Sequence, residues 1–314
     1  IANPSHLGFV FAKFNIPTIS NKPTTNIKGV SLTNAKKVLA IPGIRSPLVT
    51  DFVADKARDN TQIFNVMDIP LYDENSDRVF AGPGIRPDVE RTTIEFGLRN
   101  VDNNYSAVYF PDVHIQDNIN NLITRVPPSV AALGALGFND KNAKPWFAPA
   151  GFNRGSLEFV TNVDVRLSAA DRDTLYDARI NPIATFPNGG GPNTYVIFGQ
   201  KNLQLAQTAL DRINVRRMLI EVKRLIFKVA RNLIFEQNNQ ATRSRFIAGA
   251  SPLLALVQAQ QGIEQFKIVM DDSNNTLEDI EGNRLNGRIV LVPTRTVEFI
   301  AVDFIITATG VSFE

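Results

Sequence analysis

The sequence predicts an α/β layered domain with a mixed sheet, followed by an α+β domain with two long helices and an antiparallel sheet. In the first half, short apolar runs of strand length alternate with helical patterns. In the second half the helical patterns come first, and alternating strand-like runs follow them. We therefore assign residues 1–165 to the α/β domain and residues 166–314 to the α+β domain.

The first strand–helix–strand unit lies between residues 35 and 69. Residues 35–41 (AKKVLAI) have the character of a buried strand, and residues 63–69 (IFNVMDI) resemble them. Between them, Ser46 and Pro47 supply an N-cap and a first-turn proline for a helix that extends to about Asn60. Such a unit predicts two parallel strands joined by a right-handed crossover. The alternation continues through a helix, a β-like run and a proline-initiated helix: residues 88–100, 105–115 and 127–137.

Three local patterns mark the middle of the chain. Residues 146–155 (WFAPAGFNRG) combine three aromatic residues with glycine and proline, which predicts an ordered loop held by its rings. Ser168, followed three residues later by Asp171, favours the start of a short helix. A glycine cluster at residues 189–191 separates two β-like runs and predicts a turn.

The second half contains the longest amphipathic pattern of the chain. Apolar residues recur at spacings of three and four from Ile213 to Ile234, which predicts a helix over about residues 206–238. A second helix is expected over residues 242–262, with an interruption between Gly249 and Pro252. Four strand-like runs follow and predict an antiparallel meander: residues 266–270, 288–292, 297–300 and 304–309.

Composition narrows the classes of function. The 314 residues are 44% hydrophobic and 20% charged, so the chain can bury a large core. Its formal charge of +2 favours neither nucleic acid nor a membrane as a partner. The chain has no cysteine, and His6 and His114 are its two histidines, so no cofactor or metal is expected. It begins Ile-Ala-Asn-Pro without an initiator methionine, which suggests a fragment or a processed product.

The patterns that could indicate an enzyme are weak. Gly43 follows a strand and precedes a helix, but no phosphate-binding motif surrounds it. Asp112, His114 and Asp117 lie close in sequence and could orient a base or hold a metal, or they could simply be the polar end of a strand. Ser129 is not in a nucleophile elbow, and it suits a helix start. The prediction is therefore a non-enzyme, with an α/β hydrolase as the alternative.

The long helix carries a basic face. Seven basic residues stand between Arg212 and Arg231 against the single acid Glu221. A solvated surface and an acidic protein partner explain this face equally well. Nucleic acid is a weaker third explanation because no aromatic residues interleave with the basic ones. The candidate contact residues are Arg216, Arg217, Lys223, Arg224, Lys228 and Arg231, with Arg243 and Arg245 on the next helix.

The last strand-like runs would leave a sheet edge available. Edge strands can pair with a strand from another subunit, although pairing within their own sheet explains the same pattern. The candidate pairing residues are Val297, Phe299, Ile300, Phe304, Ile306 and Thr307.

Several segments occur in the order found in one protein family. These are residues 145–155 (PWFAPAGFNRG), 175–186 (LYDARINPIATF), 195–203 (YVIFGQKNL), 213–217 (INVRR) and 292–310. Over about residues 144–314 the chain resembles the conserved C-terminal half of contractile phage tail sheath proteins, of the kind found in large myoviruses. It departs from that pattern at Phe198, where many members have Trp, and at Asn202, where they have Thr. Residues 1–143 match only weakly, as the family's α/β domain, which is sometimes called subtilisin-like by shape.

This resemblance implies a structural subunit of the virion that is assembled in the host cytoplasm. Subunits of the family stack as hexameric rings around an inner tube, and they contract to drive the tube through the host envelope. The implied partners are further copies of the chain, the inner tail tube protein, and the baseplate and tail terminator proteins, with no nucleic acid and no membrane.

The family's C-terminal domain contacts the tube and exchanges terminal strands with neighbouring subunits. The resemblance thus assigns the tube contact to the basic residues named above and strand exchange to the last runs. Charge reversal at Arg216, Arg217 and Arg224 is expected to weaken tube binding and to leave the fold intact.

Overall fold

The computed structural model describes residues 38–79, 86–117, 121–189 and 191–298. The strands are β1 (Val38–Ala40), β2 (Phe64–Met67), β3 (Ser106–Phe110), β4 (Val113–Asp117), β5 (Leu122–Val126), β6 (Val160–Val163), β7 (Ile180–Phe186), β8 (Thr194–Ile197), β9 (Ile263–Val269) and β10 (Arg288–Pro293). The helices are α1 (Pro47–Asn60), α2 (Val89–Leu98), α3 (Pro128–Asn142), α4 (Ala169–Asp177), α5 (Ile213–Arg231), α6 (Gln240–Ala259) and α7 (Leu277–Glu281).

The central sheet has five strands in the order β1-β2-β3-β7-β8. Its first four strands are parallel and β8 pairs antiparallel to β7, so the predicted mixed sheet is confirmed. Strand β3 shows why the sheet is covered on both faces. Ala107 and Tyr109 pack into one core with α3, whereas Val108 and Phe110 pack into the core on the opposite face with α2 and α4.

Local signals place several helix ends. Pro47 opens α1 as expected, although the side chain of Ser46 forms no capping hydrogen bond. At α4, the hydroxyl of Ser168 accepts from the amide of Asp171, and the Asp171 carboxylate accepts from the amide of Ser168. This reciprocal capping confirms the predicted start of α4.

The aromatic loop at residues 146–155 is held by its rings, as predicted. Trp146 is buried, and its indole nitrogen donates to the carbonyl of Gln260 at 2.9 Å. The Phe152 ring lies 4.9 Å from that of Phe186 and 6.4 Å from that of Phe198, measured between centroids. The loop therefore connects the central sheet to the end of α6.

Two smaller sheets flank the central one. Strands β5, β4 and β6 form an antiparallel sheet in that order, with Leu122 and Ile123 of β5 exposed. Strands β9 and β10 form an antiparallel pair packed near α5 and α6. Two of the four runs predicted as a meander thus pair. Residues 294–298 form no strand, and residues 299–314 lie outside the described residues.

The long helices differ from their predicted forms. Helix α5 is shorter than expected, because a 3-10 turn at Ala209–Asp211 precedes it and its helical geometry ends at Arg231. Helix α6 continues through Pro252, so the predicted interruption is wrong. A Cβ on Gly249 would lie 2.8 Å from Cγ1 of Val229. That glycine therefore allows close packing of α6 on α5, and it does not break the helix.

The boundary between the predicted domains stays a prediction. Strands β7 and β8 follow residue 165 in sequence and yet belong to the central sheet.

Gly155 and Gly137 form a matched pair for testing the fold. A Cβ on Gly155 would lie 2.7 Å from Cα of Ala150 and 2.8 Å from the carbonyl oxygen of Ile197. Gly155→Ala should lower the free energy of unfolding by about 1–3 kcal/mol through backbone overlap. Gly137→Ala, in α3 with open space around it, should raise that free energy by about 0.5–1 kcal/mol. Urea unfolding followed by circular dichroism measures both, and equal shifts for the two variants would contradict the packing at Gly155.

Candidate functional site

Helix α5 lies between two hydrophobic cores and contributes residues to both. Its first six residues, from Ile213 to Met218, are all buried. Ile213 packs into the core beside the central sheet, whereas Val215, Met218 and Val222 pack against α6 and β9. Because both sides of its first turns are covered, α5 has no solvent-exposed polar face at its start.

Two of the predicted contact residues, Arg216 and Arg217, lie on the buried first turns of α5. Arg216 donates to the hydroxyl of Tyr105 at 3.1 Å, and its guanidinium lies 4.3 Å from the centroid of the Tyr105 ring. Burial lowers the pKa of Arg216, against the opposing influence of Tyr105. Arg217 is 4% exposed and forms an ion pair with Asp140 of α3 at 2.6 Å. Both side chains therefore connect α5 to the α/β layers.

The other predicted basic residues have different surroundings. Arg224 is half-buried and pairs with Glu221 at 2.6 Å. Arg243 is buried and pairs with the exposed Asp272. Arg245 is exposed and pairs with Glu236 at 2.9 Å. The remaining three residues are exposed on the second half of α5: Lys223, Lys228 and Arg231.

Burial therefore divides the basic set into internal and surface members. Arg216 and Arg217 do not lie on an exposed face: Arg216 is enclosed beside the hydroxyl of Tyr105, and Arg217 is enclosed in an ion pair with Asp140. Contrary to the prediction from the sequence, we therefore expect charge reversal at these two positions to destabilise the fold. The surface members form a smaller group: Lys223, Lys228, Arg231 and Arg245. Their contact with a partner stays a prediction.

Exposed apolar side chains accompany these surface cations. Phe227 on α5 is 59% exposed, and Ile234 just beyond the helix is 58% exposed. Phe235 is fully exposed and has a positive φ of 73°, which is unusual for a bulky residue. These side chains border an open groove of about 1770 Å³, which also reaches Leu291 of β10. A mixed basic and aromatic surface of this kind is typical of a protein contact.

A second cluster surrounds Glu298, the last described residue. Its Oε1 accepts from Nε of Arg212 at 2.6 Å and from the side-chain amide of Gln200 at 3.0 Å. Its Oε2 accepts from NH2 of Arg212 at 2.9 Å and from the hydroxyl of Tyr176. Nζ of Lys201 lies 3.4 Å from the centroid of the Tyr176 ring and donates to the carbonyl of Tyr176.

The electrostatics of this cluster favour a charged Glu298. Burial alone would raise the pKa of Glu298, but hydrogen bonds from Arg212, Tyr176 and Gln200, with the charge of Arg212, hold that pKa below its usual value. Burial and the hydrogen bond to Glu298 raise the pKa of Tyr176. Burial and the nearby Arg212 lower the pKa of Lys201.

The predicted strand-exchange residues fall mostly beyond this point. Val297 is exposed and lies outside regular structure, next to the half-buried cluster around Glu298. Phe299, Ile300, Phe304, Ile306 and Thr307 lie outside the described residues. Sequence reasoning missed Glu298 itself. Its only signal was a single acid between the apolar residues Val297 and Phe299, in a run interpreted as a strand.

The residues considered for catalysis are occupied with structural partners. Nε2 of His114 lies 2.7 Å from Asp164, and Asp112 pairs with Arg45 at 2.6 Å and with Arg125 at 3.1 Å. Asp117 is the last residue of β4, opposite Leu122. Among the described residues no cluster of three or more His, Asp or Glu side chains could hold a metal.

Ser129 and Gly43 share one buried carboxylate. The hydroxyl and the amide of Ser129 donate to Asp68 at 2.7 and 3.1 Å, and the amide of Gly43 donates to it at 2.9 Å. Burial raises the pKa of Asp68. A carboxylate occupies the position where a phosphate-binding loop would place an anion, so the Gly43 turn is structural. None of the helices in the described ranges is long and apolar enough to cross a membrane.

The relatives found by sequence comparison are all named as phage tail sheath proteins. The tail sheath protein of Vibrio phage KVP40 is 33% identical over 213 residues, which are 68% of this chain and 30% of that protein. That of Enterobacteria phage T4 is 32% identical over 215 residues, covering 68% and 32% of the two chains. This chain is a homologue of phage tail sheath proteins. The resemblance seen in its sequence is therefore confirmed, although no family model matches the chain.

Solved structures show the same fold. A chain of the anti-feeding prophage baseplate has a TM-score of 0.67 at 22% identity, covering 87% of this chain and 69% of that one. A chain of an extracellular contractile injection system, the PVC sheath complex in its contracted state, has a TM-score of 0.66 at 21% identity, covering 85% and 70%. The chain spans about a third of the length of the phage sheath proteins it matches.

The internal and surface cations of α5 should respond differently to truncation. Arg217→Ala leaves the carboxylate of Asp140 without its guanidinium partner, so we expect a loss of about 3 kcal/mol in the free energy of unfolding. Lys223→Ala, at an exposed position of the same helix, should change it by less than about 0.5 kcal/mol. Chemical denaturation compares the two. Equal effects would show that the ion pair with Asp140 is not a stabilising contact.

Glu298 should make stability depend on pH in the acid range. Because folding lowers the pKa of Glu298 from about 4.5, its contribution is fully present above that value and is lost as pH falls through the lower folded pKa. Glu298→Gln should therefore lower the melting temperature at pH 7 by at most a few degrees and have less effect at pH 3. Scanning calorimetry at both pH values tests this. A difference that is constant with pH would mean that the charge of Glu298 does not contribute.

Proposed function

We propose that this chain is part of a structural subunit of a contractile tail sheath, which polymerises as stacked hexameric rings around an inner tube. The 33% identity to a phage tail sheath protein over 213 residues carries the proposal. The fold shared with a chain of a contracted sheath complex supports it. As a virion component, such a subunit would contact further copies of itself, the tube protein, the baseplate and the tail terminator.

The role we infer is mechanical and not enzymatic. His114, Ser129 and Asp112 each bind a different structural partner. In a contractile sheath, subunits change their relative positions while the lattice stays connected. Backbone pairing between terminal strands could keep that connection, and salt-screened charge contacts at the tube could release. The free energy for contraction would then be stored in the extended lattice.

The exposed half of α5 is the surface that we assign to the tube. Lys223, Phe227 and Arg231 recur every four residues on one side of the helix, and all three are exposed. Cations at the end of a helix are also favoured by its dipole. An acidic surface with apolar residues is the complementary partner. Arg216, Arg217 and Arg243 support this surface from inside, since their side chains are buried.

Electron microscopy of the full-length gene product, expressed together with the tube protein of the same phage, tests the sheath proposal. We expect cylindrical polymers of stacked rings around the tube. A product that stays monomeric at high concentration, with and without the tube protein, would contradict the proposal.

Charge reversal tests the assignment of the tube surface. The double variant Lys223→Glu, Arg231→Glu should weaken co-sedimentation with preformed tubes by about tenfold or more, since several screened contacts change sign together. The matched control, Lys56→Glu with Arg58→Glu on α1, changes the same amount of exposed charge elsewhere. If both double variants bind tubes as the unaltered protein does, α5 is not the tube surface.

A further inference from the structure

The last described segment, residues 294–298, is attached to the other described residues chiefly by side-chain hydrogen bonds. It follows β10 and forms no strand of its own. The amide of Thr294 approaches the carbonyl of Gly262 at 3.4 Å, and the hydroxyl of Thr296 accepts from the side chain of Gln200. Val297 and Arg295 are exposed. The carboxylate of Glu298 makes the strongest attachment, because it accepts four hydrogen bonds, two of them from a guanidinium.

The groups that bind this carboxylate come from three separate parts of the chain. Tyr176 lies near the end of α4, Gln200 in the connector after β8, and Arg212 immediately before α5. They also bind one another, since NH2 of Arg212 donates to the hydroxyl of Tyr176 at 3.1 Å. Asp211 pairs with Arg212 at 3.0 Å, and Lys201 covers the Tyr176 ring. The receiving site is therefore an organised carboxylate-binding site.

We propose that Glu298 is a latch that holds residues 294–298 against the body of the protein, with Tyr176, Gln200 and Arg212 as its receiving site. While the latch is closed, residues 294–298 are held against the connector that precedes α5. When the carboxylate is removed, these residues lose their main attachment, and the segment opens without unfolding of the cores. Glu298 is thus a positioning residue for residues 294–297.

Trypsin cleavage after Arg295 measures the latch directly, because this exposed arginine lies within the held segment. Cleavage requires local opening of the segment, so its rate reports the population of the open form. Trypsin should cut the Glu298→Ala variant after Arg295 about tenfold faster or more than the unaltered protein, as expected when charge-assisted hydrogen bonds are lost. Tyr176→Phe, which removes one donor and no charge, should give a smaller increase of about two- to fivefold.

The matched control is Glu278→Ala, which removes an exposed acid of α7 away from this cluster. Its cleavage rate at Arg295 should not change. Cleavage after Arg217, which is buried in α5, reports global unfolding and should stay slow in every variant. If trypsin cuts the Glu298→Ala and Tyr176→Phe variants after Arg295 no faster than it cuts the control variant, the latch is disproved. Equal acceleration at Arg217 and Arg295 would also disprove it, since the whole fold would then be opening.

The consequence for assembly rests on the proposed sheath function. Residues 294–298 directly precede most of the residues proposed for strand exchange, so Glu298→Ala should reduce polymer formation by about tenfold or more while the melting temperature stays within a few degrees. Polymers that form normally from a variant with an open latch would overturn this role in assembly. If the unaltered protein forms no polymers, the sheath proposal fails, and the protease result still decides the latch.

Discussion

The connector between β8 and α5 depends on one buried amide. The side chain of Asn181 donates to the carbonyls of Val108 and Lys201 at 2.9 and 2.8 Å, and its oxygen accepts from the amide of Lys201 at 2.7 Å. It thereby attaches the connector to β3 and β7, which pair with each other at this position. Gly199 allows this approach, since a Cβ there would lie 3.0 Å from the Asn181 amide oxygen. Because the carbonyl of Gln200 then accepts from the amide of Ile213 at 2.9 Å, Asn181 also sets where α5 begins.

From that start, α5 connects the two halves of the structure. Its apolar residues divide between two cores, and its first two arginines reach back to Tyr105 and Asp140. Burying a guanidinium is costly unless it is paired and hydrogen-bonded, and such pairs are specific in geometry. The helix is therefore held in one orientation at its buried start, whereas its exposed second half is left for an outside partner. The same helix thus connects the two halves of the structure at its buried start and carries, on its exposed half, the surface that we assign to the tube.

Hydrophobic patterns in the sequence predicted the β1–α1–β2 unit and the apolar stripe of α5, and a capping pattern predicted the start of α4. These patterns did not show which arginines are buried, although Arg216 and Arg217 follow Ile213 at three and four residues, the spacing of a buried face. The sequence pattern indicated a helix break at Gly249. The role of this glycine is instead to allow close packing against Val229, which lies on another helix and is not evident from the local sequence. The site around Glu298 could not be predicted for the same reason. Its donors are separated from it in sequence by about 86 to 122 residues, and only the fold brings them together.

The Asn181 connector also bears on the latch, since Gln200 and Lys201 follow Gly199 directly. The backbone of Lys201 is fixed by Asn181, and its side chain covers Tyr176. Arg212, which binds Glu298 through two nitrogens, is paired through the backbone with Lys201 and precedes the first residue of α5. A shift of the connector would therefore move the start of α5 and the receiving site of Glu298 together. The backbone pairing of Lys201 with Arg212 thus links the start of the helix that carries the proposed tube surface to the receiving site of Glu298.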